Sequence, residues 1–129
     1  AFHILKINKI AVLTPYPKDV NKTIFDYIVK NNIEITSFSS FNLKYDSEIA
    51  KVDPNYIIET IDKINDKDSE GIFISCTALR AAEVIKNIEN KISKFVVSSN
   101  QAIVWDCLRS IGINQSIEGY GKLLSLQTL

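Results

Sequence analysis

The feature that most constrains the fold is a fourfold alternation of short apolar runs with amphipathic helical segments. Residues 9–14, 71–76 and 95–98 are continuous apolar runs, typical of strands buried on both faces, and residues 33–38 alternate like a strand nearer an edge. Such alternation indicates βαβ units with right-handed crossovers. We therefore predict one α/β domain over residues 1–129, a small doubly wound parallel four-stranded sheet of order 2-1-3-4 with helices on both faces.

Each helical segment has an apolar face that we expect to be buried. Asp53 and Pro54 pair a capping residue with the residue favoured at the first helical position, and Gly112 ends a last helix that begins near Gln101. The predicted buried faces are, helix by helix, Val20, Ile24, Tyr27 and Ile28; Ile57, Ile58, Ile61 and Ile64; Ala81, Val84, Ile85 and Ile88; and Val104, Cys107, Leu108 and Ile111.

Composition excludes several classes of function. Lys and Arg together number 15, as do Asp and Glu, and this balance argues against nucleic acid and anionic membrane as partners. Apolar runs fall short of the roughly 18 residues of a membrane span, and the first residues lack the pattern of a signal peptide. One histidine and two distant cysteines suit neither a metal site nor a disulfide framework. We expect a cytoplasmic, metal-free domain.

The sequence holds no methionine, not even at position 1. We therefore expect translation to begin upstream of Ala1. The two glycines of Gly119-Tyr120-Gly121 lack the strand–turn–helix setting of a dinucleotide-binding loop, and we reject that motif.

Two loops are predicted to face each other where the strand order reverses, which is where open parallel sheets bind ligands. These loops are residues 14–17, Thr-Pro-Tyr-Pro, and residues 75–78, Ser-Cys-Thr-Ala. Cys76 ends a buried strand, and we expect a helix to begin directly after it. A thiol at a helix N-terminus is activated by the free amides there, whereas a buried cysteine away from such a site is an inert small hydrophobe. Position alone favours neither reading of Cys76.

Other polar residues at the same edge have both functional and structural interpretations. Tyr16, held between Pro15 and Pro17, could donate a hydrogen bond to a substrate oxygen or be an ordinary loop tyrosine. The Ser98-Ser99-Asn100 segment could face the site or cap the last helix. Cys107, by contrast, is expected in the core.

Three segments together resemble the aspartate/glutamate racemase superfamily, and within it the maleate cis–trans isomerase and arylmalonate decarboxylase group. They are Thr14-Pro15-Tyr16, the stretch from Ser75 to Ile85 that reads SCTALRAAEVI, and residues 98–102, which read SSNQA. Proteins of this family have two similar α/β halves with the active site between them. The resemblance covers nearly all of this chain but only the second half of such a protein.

The resemblance implies roles for particular residues. Cys76 matches the second-half catalytic cysteine, and Tyr16 a tyrosine that hydrogen-bonds a substrate carboxylate. The backbone N–H groups of Thr77 and Ala78 would hold that carboxylate or the enediolate formed from it. Thr14, Pro15 and Asn100 lie in the same motifs and are predicted to contact substrate. Close relatives often have Asn at the position of Ala78, which leaves the identity of the substrate open.

The resemblance therefore predicts the C-terminal catalytic domain of a cofactor-independent isomerase acting on a small dicarboxylate such as maleate. An arylmalonate-type decarboxylase and an amino-acid racemase are alternatives within the enzyme class. A small-anion-binding module without turnover is the alternative from another class, and a flavodoxin-like interaction domain is less consistent with the sequence. We expect the half-site to be completed by an absent N-terminal half or by a second copy of the chain in a homo-oligomer.

Overall fold

The computed structural model describes residues 1–127 and contains a four-stranded parallel sheet of order β2-β1-β3-β4, as predicted. The elements in chain order are α1 (Phe2–Leu5), β1 (Lys9–Thr14), α2 (Lys18–Lys30), β2 (Glu34–Ser40), α3 (Asp46–Ile49), α4 (Pro54–Ile64), β3 (Gly71–Ile74), α5 (Ile85–Ile92), β4 (Phe95–Ser98), α6 (Ser99–Ser110) and α7 (Lys122–Ser125). None of these helices is long and apolar enough to cross a membrane.

Helices cover both faces of the sheet because successive side chains of its central strands point to opposite sides. In β1, Ala11 and Leu13 pack in one cluster with the buried faces of α4 and α5. Ile10 and Val12 pack in a second cluster with α2. A third cluster joins β4 to α6 and α7.

The start of α4 is the one the sequence predicts. The Asp53 side chain accepts a hydrogen bond of 2.8 Å from the Asn55 backbone N–H, and Pro54 occupies the first helical position. Ile57, Ile61 and Ile64 are buried on one face of this helix, which confirms the stripe apart from the partly buried Ile58.

The helix after β3 begins later than the sequence predicts. Ala81 and Val84 are buried as expected, but they lie in a loop, and α5 begins only at Ile85. Within this loop the Ala81 N–H donates to the Leu79 carbonyl, and the Val84 N–H donates to the Ala81 carbonyl. Burial of Leu79 and Ala81 anchors the loop without a helix, so apolar spacing alone placed the boundary wrongly.

The prediction that Cys107 lies in the core is wrong: it is exposed. The buried side of α6 instead carries Gln101, Trp105 and Arg109, at spacings of four. Arg109 donates to the carbonyl oxygens of Leu124, Leu126 and Ile113, so its polar atoms are satisfied in the interior. Because two polar residues take the inward positions, the apolar stripe read from the sequence faces outward, and Ile111 is 71% exposed.

Candidate active site at the carboxyl edge of the sheet

The carboxyl ends of β1, β3 and β4 lie side by side. Ile74, the last residue of β3, pairs with Leu13 of β1 and with Ser98 of β4. Beyond this edge is a cavity of about 630 Å³. Five of its lining residues come from the three strand ends: Tyr16, Ser75, Cys76, Thr77 and Ser99. The structure thus brings together the two loops that the strand order predicts to face each other.

Cys76 occupies a constrained position at the base of this edge. It is 8% exposed, and its backbone φ is 98°, in a region that residues other than glycine rarely adopt. Its sulfur accepts a hydrogen bond of 3.4 Å from the Ala78 N–H. The sulfur thus already has a backbone N–H donor, which would also form a hydrogen bond with a sulfur atom that carries negative charge.

The helix whose N-terminus approaches Cys76 is α6, not the helix that follows it in the chain. The Cys76 N–H donates to the Ser99 hydroxyl oxygen over 3.1 Å, and Ser99 is the first residue of α6. α5 begins nine residues after Cys76, so the predicted turn directly into a helix is wrong. The helix N-terminus beside Cys76 therefore belongs to the helix that follows β4, the strand next to β3.

Tyr16 is held next to the thiol with its hydroxyl at the cavity. The hydroxyl is 3.2 Å from the Ser75 Oγ, and either oxygen can be the donor. Burial raises the pKa of Tyr16 above its usual value of 10.0; the hydrogen bond to Ser75 lowers it, and the neighbouring Cys76 raises it further. The phenol is thus a neutral hydrogen-bond donor at physiological pH.

The cavity wall carries hydroxyl groups and one carboxylate. Asp46, at the start of α3, is the charged side chain among the lining residues that the structure describes. Recognition of a substrate anion by this half would therefore depend on O–H and N–H donors rather than on Lys or Arg. Within residues 1–127, no cluster of three or more His, Cys, Asp or Glu side chains is placed to hold a metal ion.

Beyond these polar groups, the same cavity extends as an apolar groove between α2 and α6. This inter-helix groove is lined by Phe2, Ile24, Tyr27, Ile28, Phe73 and Ile103. Tyr27 is 70% exposed and Ile103 is 54% exposed, so the groove is open at its rim.

Four of the residues predicted to bind substrate do not line the cavity. The Thr14 hydroxyl is buried and donates to the Asn21 side chain, and the Pro15 carbonyl accepts from the Leu43 N–H. The Ala78 N–H points at sulfur, and Asn100 donates its side-chain N–H to the Thr77 carbonyl over 3.1 Å. In this structure they shape the two loops, and their contact with substrate stays a prediction.

Ser75, Ser99 and Asp46 line the cavity but are not among the residues predicted to contact substrate. Ser75 and Ser99 stand within the family motifs, and their polarity at the ends of two apolar strands is the signal that points to them. Asp46 follows β2 after an irregular connection, and nothing local in the sequence places it near Cys76.

Comparison with known proteins gives a consistent result. Residues 1–124 match the family model for arylmalonate decarboxylase. The maleate isomerase of Geobacillus stearothermophilus is 25% identical over 122 residues, which are 94% of this chain and 49% of that protein. The arylmalonate decarboxylase of Bordetella bronchiseptica is 28% identical over 122 residues, 92% of this chain and 51% of that protein.

Solved structures agree with the sequence matches. The crystal structure of the maleate isomerase Iso from Pseudomonas putida S16 superposes with a TM-score of 0.92 at 26% identity, over 96% of this chain and 50% of that one. The chain thus spans about half the length of the relatives that it matches.

Proposed function

Because this chain belongs to the arylmalonate decarboxylase family, we propose that it is the C-terminal catalytic half of a cofactor-independent isomerase acting on a small dicarboxylate such as maleate. The observation that carries the proposal is Cys76, a thiol in a strained backbone conformation beside the Tyr16 hydroxyl and the start of α6. Strained residues persist where the surrounding structure holds them, and they concentrate at functional sites.

The proposed reaction passes through charge delocalised onto a substrate carboxylate. A thiolate supplied by the other half adds to one alkene carbon of maleate, and the Cys76 thiol gives its proton to the adjacent carbon. Rotation about the resulting single bond follows. Cys76 then takes the proton back, and the carbon–sulfur bond breaks, which releases fumarate and restores the thiolate of the other half and the Cys76 thiol. Each step needs a thiol of tuned acidity and hydrogen-bond donors for the carboxylate.

Tyr16 and the loop after Cys76 supply those donors in this proposal. The Tyr16 hydroxyl stays protonated because burial raises its pKa, so it can donate to a carboxylate oxygen. Thr77 lines the cavity, and we propose that its backbone N–H holds the same carboxylate. The Ala78 N–H already faces the sulfur and would support the thiolate form during turnover.

We propose that a second α/β half completes the site and covers the inter-helix groove. That half is encoded with this chain or supplied by a second copy of it in a homo-oligomer. Support comes from Tyr27 and Ile103, two apolar residues that line this groove and are more than half exposed here. Val20, Val104 and Ile111, which the sequence predicts to be buried like Tyr27, are also exposed, but they lie outside the groove. An open apolar groove continuous with the catalytic edge fits a closing partner, since large exposed apolar patches mark interaction sites. We also propose a cytoplasmic location, which the two free thiols favour.

Replacement of the two cysteines tests the catalytic assignment. In the full-length protein, Cys76→Ser should slow conversion of maleate to fumarate by about 100- to 10,000-fold, because it removes the acid–base thiol. Cys107→Ser is the matched control and should leave the rate unchanged, since Cys107 is exposed on α6. Proton NMR of the two diacids measures both rates. A Cys76→Ser variant that turns over like the unmodified protein would contradict the assignment.

Assays with other substrates separate the alternatives. Carbon dioxide release from an arylmalonate, or racemisation of aspartate or glutamate, without maleate turnover would indicate the decarboxylase or the racemase. Binding of a small carboxylate without any turnover, retained in Cys76→Ser, would indicate a binding module.

A further inference from the structure

The strained backbone of Cys76 is held by a residue from a distant part of the chain. A φ of 98° at a residue with a side chain costs on the order of 1–3 kcal/mol and requires contacts that hold it. The Cys76 N–H donates to the Ser99 Oγ at 3.1 Å, and the two residues are 23 positions apart in the chain. The hydroxyl of Ser99 is therefore the tertiary contact that fixes the amide of the strained residue.

Capping of α6 does not require that hydroxyl. Ser98 is the N-cap: its Oγ accepts from the Gln101 N–H, and the Gln101 side-chain oxygen accepts from the Ser98 N–H. This reciprocal pair is a complete capping box. Ser99 follows the cap, and its side chain lines the cavity rather than the helix terminus.

The next residue of α6 holds the other side of the same loop. The Asn100 side-chain N–H donates to the Thr77 carbonyl over 3.1 Å. Ser99 and Asn100, the first two residues of α6, thus form hydrogen bonds with the Cys76 N–H and the Thr77 carbonyl. Between these two contacts, the Cys76 sulfur meets the Ala78 N–H.

We propose that Ser99 is a positioning residue that holds the Cys76 thiol against the Ala78 N–H and directs it into the cavity. The Ser99 oxygen accepts from Cys76, which leaves its own hydrogen available to a third atom. Within residues 1–127 the Ser99 hydroxyl donates no hydrogen bond, and Ser99 lines the cavity, so its hydrogen is available to a substrate oxygen. This role rests on the proposed function of Cys76 as the reacting thiol.

The test measures alkylation of each thiol in the full-length protein by iodoacetamide at one fixed pH near neutrality, followed by peptide mass spectrometry. Cys107 is the internal reference because it is exposed and lies far along α6. Ser99→Ala should lower the rate at Cys76 relative to Cys107 by about tenfold, since the thiol loses its alignment with a stabilising donor. Ser99→Thr keeps the hydroxyl and should restore most of the rate. Ser110→Ala, at the exposed end of the same helix, should change neither rate.

The direction of the change distinguishes positioning from simple packing. If Ser99 only stabilised the fold, its removal would loosen the loop and expose the buried thiol, and alkylation of Cys76 would become faster. A faster or unchanged rate in Ser99→Ala would overturn the proposal. Urea unfolding of each variant identifies any rate change that follows global unfolding. Alkylation does not depend on turnover, so the proposed isomerase activity can fail in the cysteine assay while the role of Ser99 holds.

Discussion

Tyr16 shows how one loop residue is fixed before any substrate arrives. Prolines on both sides limit its backbone, and its carbonyl oxygen accepts hydrogen bonds from the side chains of Asn21 and Ser40. The ring extends from the end of β1 to the end of β3, where its hydroxyl meets Ser75. Preorganisation of this kind places a donor at the site without loss of side-chain entropy on binding.

We expect Tyr16→Phe to raise KM for a carboxylate substrate by about 10- to 100-fold, because it removes one hydrogen bond to a charged group. Steady-state kinetics of the full-length protein measure this change. Tyr120→Phe is the control, since Tyr120 is half exposed and lies outside the cavity at the carboxyl edge. Equal KM values for Tyr16→Phe and the unmodified protein would remove Tyr16 from the binding set.

The raised pKa of Tyr16 also has a consequence for stability. A group whose pKa is higher in the folded state stabilises the fold below its unfolded pKa, here 10.0, and that contribution disappears as the pH rises through the folded value. We therefore expect the unmodified protein to lose stability above pH 10 more steeply than Tyr16→Phe does. Urea unfolding across the alkaline range measures the difference.

At the scale of elements, Glu89 connects three parts of the chain. It lies on α5 and is buried, and its two carboxylate oxygens accept from the Val96 N–H of β4 at 3.0 Å and the Lys122 N–H of α7 at 2.8 Å. Gly121, with a φ of +89°, lets the chain pass this carboxylate, because a Cβ there would be 2.6 Å from Ile85. Glu89 thus links the C-terminal segment to α5 and β4, in addition to the contacts that this segment makes with α6.

Glu89→Gln should destabilise the protein by about 1–3 kcal/mol, because an amide can accept only one of the two bonds and sets its NH₂ against a backbone donor. Urea unfolding gives the free energy. Glu83→Gln is the control, since Glu83 is half exposed beside Arg80, and it should change stability much less.

The pH dependence has a defined sign. Burial raises the pKa of Glu89, while the backbone donors Val96 and Lys122 lower it. The stability that Glu89 contributes to the fold is therefore fully present below pH 4.5, its usual pKa, and it decreases as the pH rises through the pKa of the folded state. Glu89→Gln should remove this dependence, and a stability profile identical to that of the unmodified protein would contradict it.

At the scale of the whole molecule, α2 and α6 carry apolar side chains that the fold leaves uncovered beside the carboxyl edge of the sheet. Tyr27 and Ile103 both line the inter-helix groove and are more than half exposed. A partner that closes the cavity over Cys76 would bury them, whereas the 129-residue chain alone gains little from them.

Ile103→Asp should therefore have different effects on the chain alone and on the complete protein. We expect its effect on the unfolding free energy of the 129-residue chain to be within about 0.5 kcal/mol, as for other exposed positions. In the full-length protein it should lower activity at least tenfold, because a carboxylate would be buried at the closing interface. Val29→Asp is the control, exposed on the opposite side of α2 from Tyr27, and should keep activity.

Intact mass of the natural protein shows which partner applies: about twice 14.5 kDa indicates a covalent second half, and 14.5 kDa a second copy.

The order of strands and the meeting of Tyr16 with Cys76 could be predicted because local signals determine them. Apolar runs and helical spacing identify the elements, right-handed crossovers restrict the topology, and parallel strands bring their carboxyl ends to one edge. The motifs at those ends then identified the family. The order of the sheet and the family were confirmed.

The tertiary structure alone decided which polar groups take inward positions. Arg109 is buried because carbonyl oxygens 15 and 17 residues away accept its hydrogen bonds, and that rotates α6 so that Cys107 is exposed. Ser99 reaches the amide of Cys76 for the same kind of reason, through the pairing of β3 with β4. Apolar periodicity reports only how a segment would bury its own hydrophobic residues. Satisfaction of buried polar groups depends on partners far along the chain, and those contacts exist only once the chain has folded.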